Sequence, residues 1–249
     1  MFFEEYGSRK YPTVLFLHGA GNVYSFARQY GYADRFHLIV PHLLGNGEEA
    51  EKEYSLEENL DGILELLHTL GGEPVAAVGF SLGAQLVIPL LCREPALFDR
   101  ALMVSPWILK KTHSLRWIEF LQELLFPLDQ WPVFIRMQAR STGLNAEQTE
   151  ASVRQGARLR RENIRRYVKD GVDIDDYPQF SRLKLPMLVL CGDHESKKLM
   201  IASVHVLAQR NKNCHALVLK NHAHDIPFRR PEEFNAIFEH FMTDGIADL

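Results

Sequence analysis

Short, almost wholly apolar runs alternate along this chain with segments of helical periodicity. The apolar runs are TVLFLHG (13–19), FHLIVPH (36–42), EPVAAVGF (73–80), RALMVSP (100–106), PMLVLCG (186–192) and HALVLKN (215–221). Strands with apolar side chains on both faces are typical of a parallel sheet that helices cover on each side. The alternation therefore predicts an α/β fold with a doubly wound, mostly parallel sheet.

Two segments between these runs are predicted to be helices. In residues 55–70, leucine and isoleucine recur at helical spacing, and Ser55 with Glu58 three residues later matches a capping box. Residues 81–94 form a mostly apolar helical segment directly after the run that ends at Phe80. Both segments continue the strand–helix alternation.

The alternation stops between Pro106 and Leu185, where the sequence has helical patterns and no convincing strand. Because this stretch lies between two predicted strands, we interpret it as a helical insertion. The predicted domains are a core of residues 1–106 and 180–249 and a helical cap, or lid, of residues 107–179.

The composition is that of an ordinary globular protein. Charge and cysteine content exclude some classes of function. With 249 residues and a formal net charge of -4, the chain lacks the basic excess with which nucleic-acid-binding proteins neutralise phosphates. Three widely spaced cysteines without a CxxC motif indicate free thiols in a reducing compartment. The sequence shows neither a signal-peptide pattern nor an apolar run of membrane-spanning length. We expect a cytoplasmic protein without a membrane span that acts on a small molecule, and the oligomeric state stays open.

The stretch VGFSLGAQL, residues 78–86, contains a G-x-S-x-G motif formed by Gly79, Ser81 and Gly83. It lies on the predicted turn from a strand to a helix, which is the setting of a nucleophile elbow. A sharp turn would strain the backbone at Ser81, and side chains at the two glycine positions would collide with neighbouring elements. The N-terminus of the helix places positive potential where an oxyanion develops. Ser81 is therefore the candidate nucleophile.

A serine nucleophile needs a base that takes its proton and an acid that orients the base. His222 and His224 follow the last apolar run, and Asp193 and Glu195 follow the run before it. The predicted order along the chain is nucleophile, acid, histidine. An H-x-H pair followed by Asp225 could also bind zinc, but the H-x-H-x-D-H spacing of metallo-hydrolases is absent, and we expect no metal.

In combination these motifs resemble those of the α/β-hydrolase superfamily, in its small, cap-bearing serine hydrolase or esterase branch. LFLHGAG (15–21) resembles the family's HG motif, and PHLLGNGEE (41–49) resembles its P-D-x-x-G-x-G loop with His42 in place of Asp. The family's catalytic histidine stands seven residues before a Pro-Glu helix start, which selects His224 before Pro231. The resemblance implies a cap inserted after the sixth strand of the fold and no cofactor.

The same resemblance implies roles for further residues. The family commonly places an acid three residues after the glycine that ends this strand, which favours Glu195 over Asp193 as the third member of the triad. The backbone N–H groups of Ala20 and Leu82 would form the oxyanion hole. His18 would be a structural residue of the loop that it begins.

The cap is expected to determine the choice of substrate, because a site below a cap needs walls. Its aromatic residues are expected to form mostly cap core, and some of them to line an apolar acyl pocket, with Trp107 as the candidate wall. These residues are Trp107, Trp117, Phe120, Trp131 and Phe134. The arginine-rich segment 158–169 is expected to be a solvated helix face. Alternatively, one of its arginines binds an anionic substrate.

Together, these residues predict a serine hydrolase that cleaves a carboxylic ester of a small or medium substrate through an acyl-enzyme on Ser81. The same triad also serves thioesterases and C–C bond hydrolases or lyases, and a hydrolase scaffold can carry a non-enzymatic ligand receptor. The sequence leaves these alternatives open.

Overall fold

The computed structural model describes residues 1–108, 120 and 124–246. The strands in this part of the chain are β1 (Phe3–Tyr6), β2 (Thr13–Leu17), β3 (His37–Pro41), β4 (Val75–Phe80), β5 (Phe98–Val104), β6 (Met187–Gly192) and β7 (Cys214–Leu219). They form one sheet in the order β1-β3-β2-β4-β5-β6-β7. Strand β1 runs antiparallel to β3, and the other neighbouring pairs are parallel. The predicted α/β class with a mostly parallel sheet is confirmed.

Helices connect the strands. The α-helices are α1 (Leu56–Thr69), α2 (Leu82–Arg93), α3 (Pro132–Ser141), α4 (Ala146–Gly156), α5 (Arg161–Lys169), α6 (Ala202–Arg210), α7 (Ile226–Arg229) and α8 (Pro231–Thr243), and residues 124–129 are helical too. The 3₁₀ segments are Ala27–Asp34, Gly47–Glu49, Pro95–Leu97, Ile174–Asp176 and Pro178–Arg182, and Lys197–Ile201 forms a π-helical turn. Within the described ranges, no helix is both long enough and apolar enough to cross a membrane.

The sheet separates two apolar clusters, as alternating side chains of β2 show. Leu15 and Leu17 belong to the cluster that α1 and α2 cover, whereas Val14 and Phe16 belong to the cluster that contains Phe238 of α8. Successive side chains of a strand point to opposite faces, so an apolar residue at every position requires cover on both sides. Each such buried side chain contributes about 1.5–3 kcal/mol to folding.

Strand β1 is the one strand of this sheet that the apolar pattern did not predict. Its sequence, FEEY, carries two glutamates, and its side chains are at most partly buried. An edge strand paired on one side and open to water on one face does not need continuous apolar residues. The apolar pattern of the sequence therefore could not predict the pairing of β1 with β3.

The segment between β5 and β6 contains α3, α4 and α5, and its described residues form no strand. A helical insertion at this place agrees with the sequence. It follows the fifth strand of the chain rather than the sixth, since β5 is preceded by only four others. The cap bounds at residues 107 and 179 stay a prediction, and residues 109–119 and 121–123 lie outside the described part of the chain.

Candidate active site

Ser81 occupies a sharp turn between β4 and α2. Its backbone has φ 52° and ψ -111°, a combination that a residue with a side chain seldom adopts and that costs on the order of 1–3 kcal/mol. Its N–H donates a hydrogen bond of 2.9 Å to the carbonyl oxygen of Val104 at the end of β5. The neighbouring strand thus supports the strained turn that presents the Ser81 hydroxyl.

Gly79 and Gly83 make this turn possible. A Cβ atom at Gly79 would lie 2.6 Å from the backbone of Gly83, and one at Gly83 would lie 2.0 Å from the carbonyl oxygen of Leu17. Both distances are far below van der Waals contact, and the obstructing atoms belong to the backbone. The turn therefore excludes any side chain at the two glycine positions of the motif.

His224, in the loop after β7, links two residues from other loops. Its Nε2 lies 2.9 Å from Oγ of Ser81, and its Nδ1 lies 2.7 Å from Oε2 of Glu195. With the proton on Nδ1, the imidazole donates to Glu195 and accepts from the Ser81 hydroxyl. The ring of Phe80 packs on the imidazole with 5.0 Å between ring centroids. The three residues form one continuous hydrogen-bonded chain.

Glu195 is buried, and three groups hold its carboxylate. Oε1 accepts hydrogen bonds from the Ser105 hydroxyl at 2.7 Å and from the Gly192 N–H at 2.8 Å, while Oε2 accepts from His224. Burial by itself raises the pKa of Glu195, but the hydrogen bonds from His224, Gly192 and Ser105 outweigh it and hold the pKa below its usual value. Glu195 is therefore ionised beside the imidazole at neutral pH.

The two alternative residues, Asp193 and His222, have other partners. Asp193 donates its N–H to the carbonyl oxygen of Leu219, and its Oδ1 lies 3.7 Å from Nε2 of His194. His222 is buried, donates from Nδ1 to the carbonyl oxygen of Lys220, and places Nε2 3.2 Å from Glu233. Geometry thus separates Glu195 and His224 from their sequence neighbours.

The predicted oxyanion donors come from two different parts of the chain. Leu82 is the first residue of α2, where backbone N–H groups have no partner inside the helix. Ala20 lies in the loop after β2. Within the described ranges, neither of these two N–H groups donates to a protein acceptor. Both are therefore available to a ligand.

His18 fixes the loop that contains Ala20. It is fully buried, with Nδ1 donating to the carbonyl oxygen of Gly19 at 2.7 Å and Nε2 accepting from the Leu43 N–H at 3.1 Å. Burial lowers the pKa of His18 to about 3. The imidazole is thus neutral and holds two loops together, which is the structural role expected for it.

Asn46 and Tyr167 stabilise the loop after β2 at Gly21, the residue that follows Ala20. The Gly21 N–H donates to Oδ1 of Asn46 at 2.7 Å. The Tyr167 hydroxyl, from α5, lies 3.1 Å from the carbonyl oxygen of Gly45 and 3.3 Å from the same Asn46 oxygen. The insertion therefore contributes directly to the geometry of the loop beside the candidate oxyanion hole.

The arginines of segment 158–169 stay at least partly exposed, as expected of a solvated face, and three of them also contact the loop before α1. Arg158 binds Glu48 at 2.9 Å and Glu51 at 3.2 Å, and Arg166 binds Glu53. Arg160 donates to the carbonyl oxygen of Glu51 at 3.1 Å. These contacts attach the insertion to the acidic loop before α1, because opposite charges face each other there.

The expectation for the cap aromatics is met only in part. Trp107 is buried and packs against Leu199. A Cβ on Gly171 would lie 2.5 Å from its ring, so the ring also packs closely against Gly171. Phe120 and Trp131, expected in the cap core, are exposed, and Trp131 lies at the exposed start of α3. Trp117 lies outside the described residues.

The prediction from the sequence did not include three residues of the site: Ser105, Phe80 and Tyr167. Ser105 follows β5 in the stretch VSP, where a small polar residue at a strand end was the available signal. Phe80 and Tyr167 looked like ordinary core residues. Their contacts depend on which loops and helices meet.

Comparisons with known proteins agree with this architecture. The sequence model of the Alpha/beta hydrolase family matches residues 14–237. An uncharacterized protein of Mycobacterium tuberculosis is 35% identical over 98 residues, 38% of this chain, and the match spans only 29% of that relative's length. The (E)-2-((N-methylformamido)methylene)succinate hydrolase of Acinetobacter baylyi is 25% identical over 244 residues, 93% of this chain and 90% of that protein. A carboxylesterase structure from the thaumarchaeon Nitrososphaera gargenis has a TM-score of 0.77 at 13% identity, covering 100% of this chain and 96% of that one, which shows a shared fold.

Proposed function

Because the chain belongs to the alpha/beta hydrolase family, we propose that it is a serine hydrolase that cleaves a carboxylic ester through an acyl-enzyme on Ser81. The observation that carries the proposal is the hydrogen-bonded chain from Ser81 through His224 to Glu195, with distances of 2.9 and 2.7 Å. A nucleophile, a base and an orienting acid in this order are what acyl transfer requires. The substrate is a small or medium molecule.

The first half of the reaction forms the acyl-enzyme. Nε2 of His224 takes the Ser81 proton as Oγ attacks the ester carbonyl carbon, and Glu195 stabilises the imidazolium that results. The N–H groups of Ala20 and Leu82 donate to the oxyanion of the tetrahedral intermediate. The C–O bond to the alcohol then breaks, and the imidazolium gives its proton to the leaving oxygen.

The second half regenerates the enzyme. Water attacks the acyl carbon and gives a proton to Nε2 of His224, and the same two N–H groups stabilise the second oxyanion. When the acyl–Oγ bond breaks, Ser81 recovers the proton from the imidazolium and the carboxylic acid leaves. No other group has to change its protonation state.

Ser81→Ala tests this proposal. We expect kcat/KM for a short-chain aryl ester to fall by about 10⁴-fold or more, because the covalent step is lost. Ser181→Ala is the matched control, since Ser181 is an exposed residue of a 3₁₀ segment whose hydroxyl contacts only the carbonyl oxygen of Pro178 in the described structure. Near wild-type turnover by Ser81→Ala would overturn the proposal.

A fluorophosphonate probe separates the remaining possibilities. Labelling of wild type but not of Ser81→Ala, together with ester turnover, supports the proposal. Labelling without turnover of oxygen esters would redirect it to thioesters or to C–C bond cleavage, which use the same triad. Absence of labelling in the folded wild type would indicate a ligand-binding protein without a reactive serine.

A further inference from the structure

Two adjoining cavities, of about 70 and about 80 Å³, lie where the loop after β2 meets the cap helices. Both are lined by Gly21, Asp129 and Leu159. The smaller one also reaches Ala20, whose N–H is a proposed oxyanion donor. A group attached near the scissile carbonyl of a bound ester would therefore extend toward these residues.

The larger cavity is linked to His224 by ring contacts. It is lined by Phe228, whose ring packs edge-on against Phe80 at 5.8 Å, and Phe80 packs on His224 at 5.0 Å. Asp129 lies in the wall common to both cavities.

In the smaller cavity, Asp129 lies beside apolar walls. The side chains of Phe126 and Ile164 are buried and apolar there. Asp129 is exposed to solvent where it lines the cavity, and no hydrogen bond or ion pair joins its carboxylate to another described residue. Although the residue is exposed, the protein around it raises the pKa of Asp129 to about 6, so the carboxylate is mostly charged at neutral pH.

The backbone of Asp129 is held in place by tight packing. A Cβ on Gly156, at the end of α4, would lie 2.6 Å from the carbonyl oxygen of Asp129, so the two backbones are in close contact. Beside it, the Gln130 side chain donates to the carbonyl oxygen of Leu159 at 3.0 Å. A fixed backbone allows the carboxylate to select between ligands instead of following them.

In the part of the chain that the structure describes, the two arginines near the smaller cavity have other partners. Arg160 lines the smaller cavity, but its guanidinium donates to Glu51 and lies 3.9 Å from Glu162. The Arg161 guanidinium stands over the ring of Phe126 at 5.3 Å. Neither of these contacts neutralises Asp129.

We propose that Asp129 is a specificity-determining residue that binds a cationic group, a short alkylammonium, of the ester substrate. The inference rests on the proposed function. An uncompensated carboxylate attracts an ammonium and repels a carboxylate. A cavity of about 150 Å³ holds benzene, so about 70 Å³ fits a chain of only a few heavy atoms. The ammonium group belongs to the acyl or the alcohol part of the ester, and the two arms of the test distinguish these cases.

The acyl arm compares phenyl 3-aminopropanoate with its isosteres, phenyl butanoate and phenyl hemisuccinate. The alcohol arm compares acetylcholine with 3,3-dimethylbutyl acetate. In at least one arm, we expect wild type at pH 7.5 to prefer the cationic ester over the neutral one by about fivefold or more in kcat/KM, a range suited to a partly solvated ion pair. Asp129→Asn should bring this ratio close to one.

Glu147→Gln is the matched control, because it removes one negative charge from an exposed position of α4 that does not line these cavities. It should keep the wild-type ratio. Turnover of the neutral esters with no cationic preference, or with a preference for the hemisuccinate, would overturn the inference and leave the proposed function standing. A cationic preference that survives in Asp129→Asn would also overturn it. Failure of wild type to hydrolyse any of these esters would overturn both.

Discussion

The Ser105 hydroxyl donates a hydrogen bond of 2.7 Å to Oε1 of Glu195, across 90 residues of sequence. Ser105 itself has φ 51°, and its N–H donates to the carbonyl oxygen of Leu190 in β6 at 2.7 Å. Two adjacent strands thus determine where the hydroxyl lies. With one carboxylate oxygen held by Ser105 and Gly192, the other is directed at His224.

We expect Ser105→Ala to lower kcat by about 3- to 30-fold with little change in KM. A hydrogen bond to a charged group contributes about 1.5–3 kcal/mol, and here it acts on catalysis only through the orientation of Glu195. Steady-state kinetics on an aryl ester measure both constants. A parallel change of KM and kcat, or a loss explained by unfolding alone in circular dichroism, would contradict a positioning role.

Substitutions of Glu195 and of Asp193 should have very different effects on turnover. Glu195→Gln removes the charge that stabilises the imidazolium, and we expect turnover to fall by about 10²–10⁴-fold. Asp193→Asn, whose carboxylate has no hydrogen bond to His224 in the described structure, should have a small effect. Both variants are to be checked for folding. The reverse ranking would transfer the role to Asp193, and equally small effects would point to a carboxylate elsewhere.

Gly83→Ala should destabilise the protein strongly. The new Cβ would lie 2.0 Å from the carbonyl oxygen of Leu17, so β2 and α2 would have to separate, at a cost of about 1–3 kcal/mol or more. Gly31→Ala is the control, since a Cβ there meets nothing within 4 Å. Thermal or urea unfolding compares the two. Equal stability of the two variants would show that α2 and β2 can move apart at Gly83 without a measurable cost.

The cationic preference attributed to Asp129 should depend on pH. Its pKa of about 6 means that the carboxylate is charged above this pH and neutral below it, so the ratio of cationic to neutral ester turnover should fall as pH drops from 8 to 5. Taking the ratio cancels any pH effect on the catalytic steps that the two esters share. Among the described groups that line the smaller cavity with Asp129, burial raises the pKa of Tyr167, so its hydroxyl stays neutral over this range. A ratio that does not change with pH, or that changes equally in Asp129→Asn, would contradict this assignment.

The order and type of the main elements could be predicted from the sequence, because they depend on local patterns. Continuous apolar runs bury both faces of a strand, and helical spacing buries one face of a helix, wherever these segments lie in the chain. The motif around Ser81 likewise combines a strand end, a helix start and two glycines within a few residues. The helix start at Ser55 follows the same rule, since its hydroxyl accepts from the Glu58 N–H at 3.3 Å.

The contacts that separate Glu195 from Asp193 and His224 from His222 exist only in the tertiary structure. The members of each pair have a single residue between them, and only the packing of loops from β6 and β7 against β4 determines which side chains meet. The same reason explains Ser105 and Tyr167, whose partners come from distant parts of the chain. It also explains the arginines of segment 158–169, which the sequence shows as charged but which find their carboxylates only when the insertion meets the loop before α1. Local patterns determine elements, whereas hydrogen bonds and charge pairs between distant residues exist only once the fold has brought the residues together.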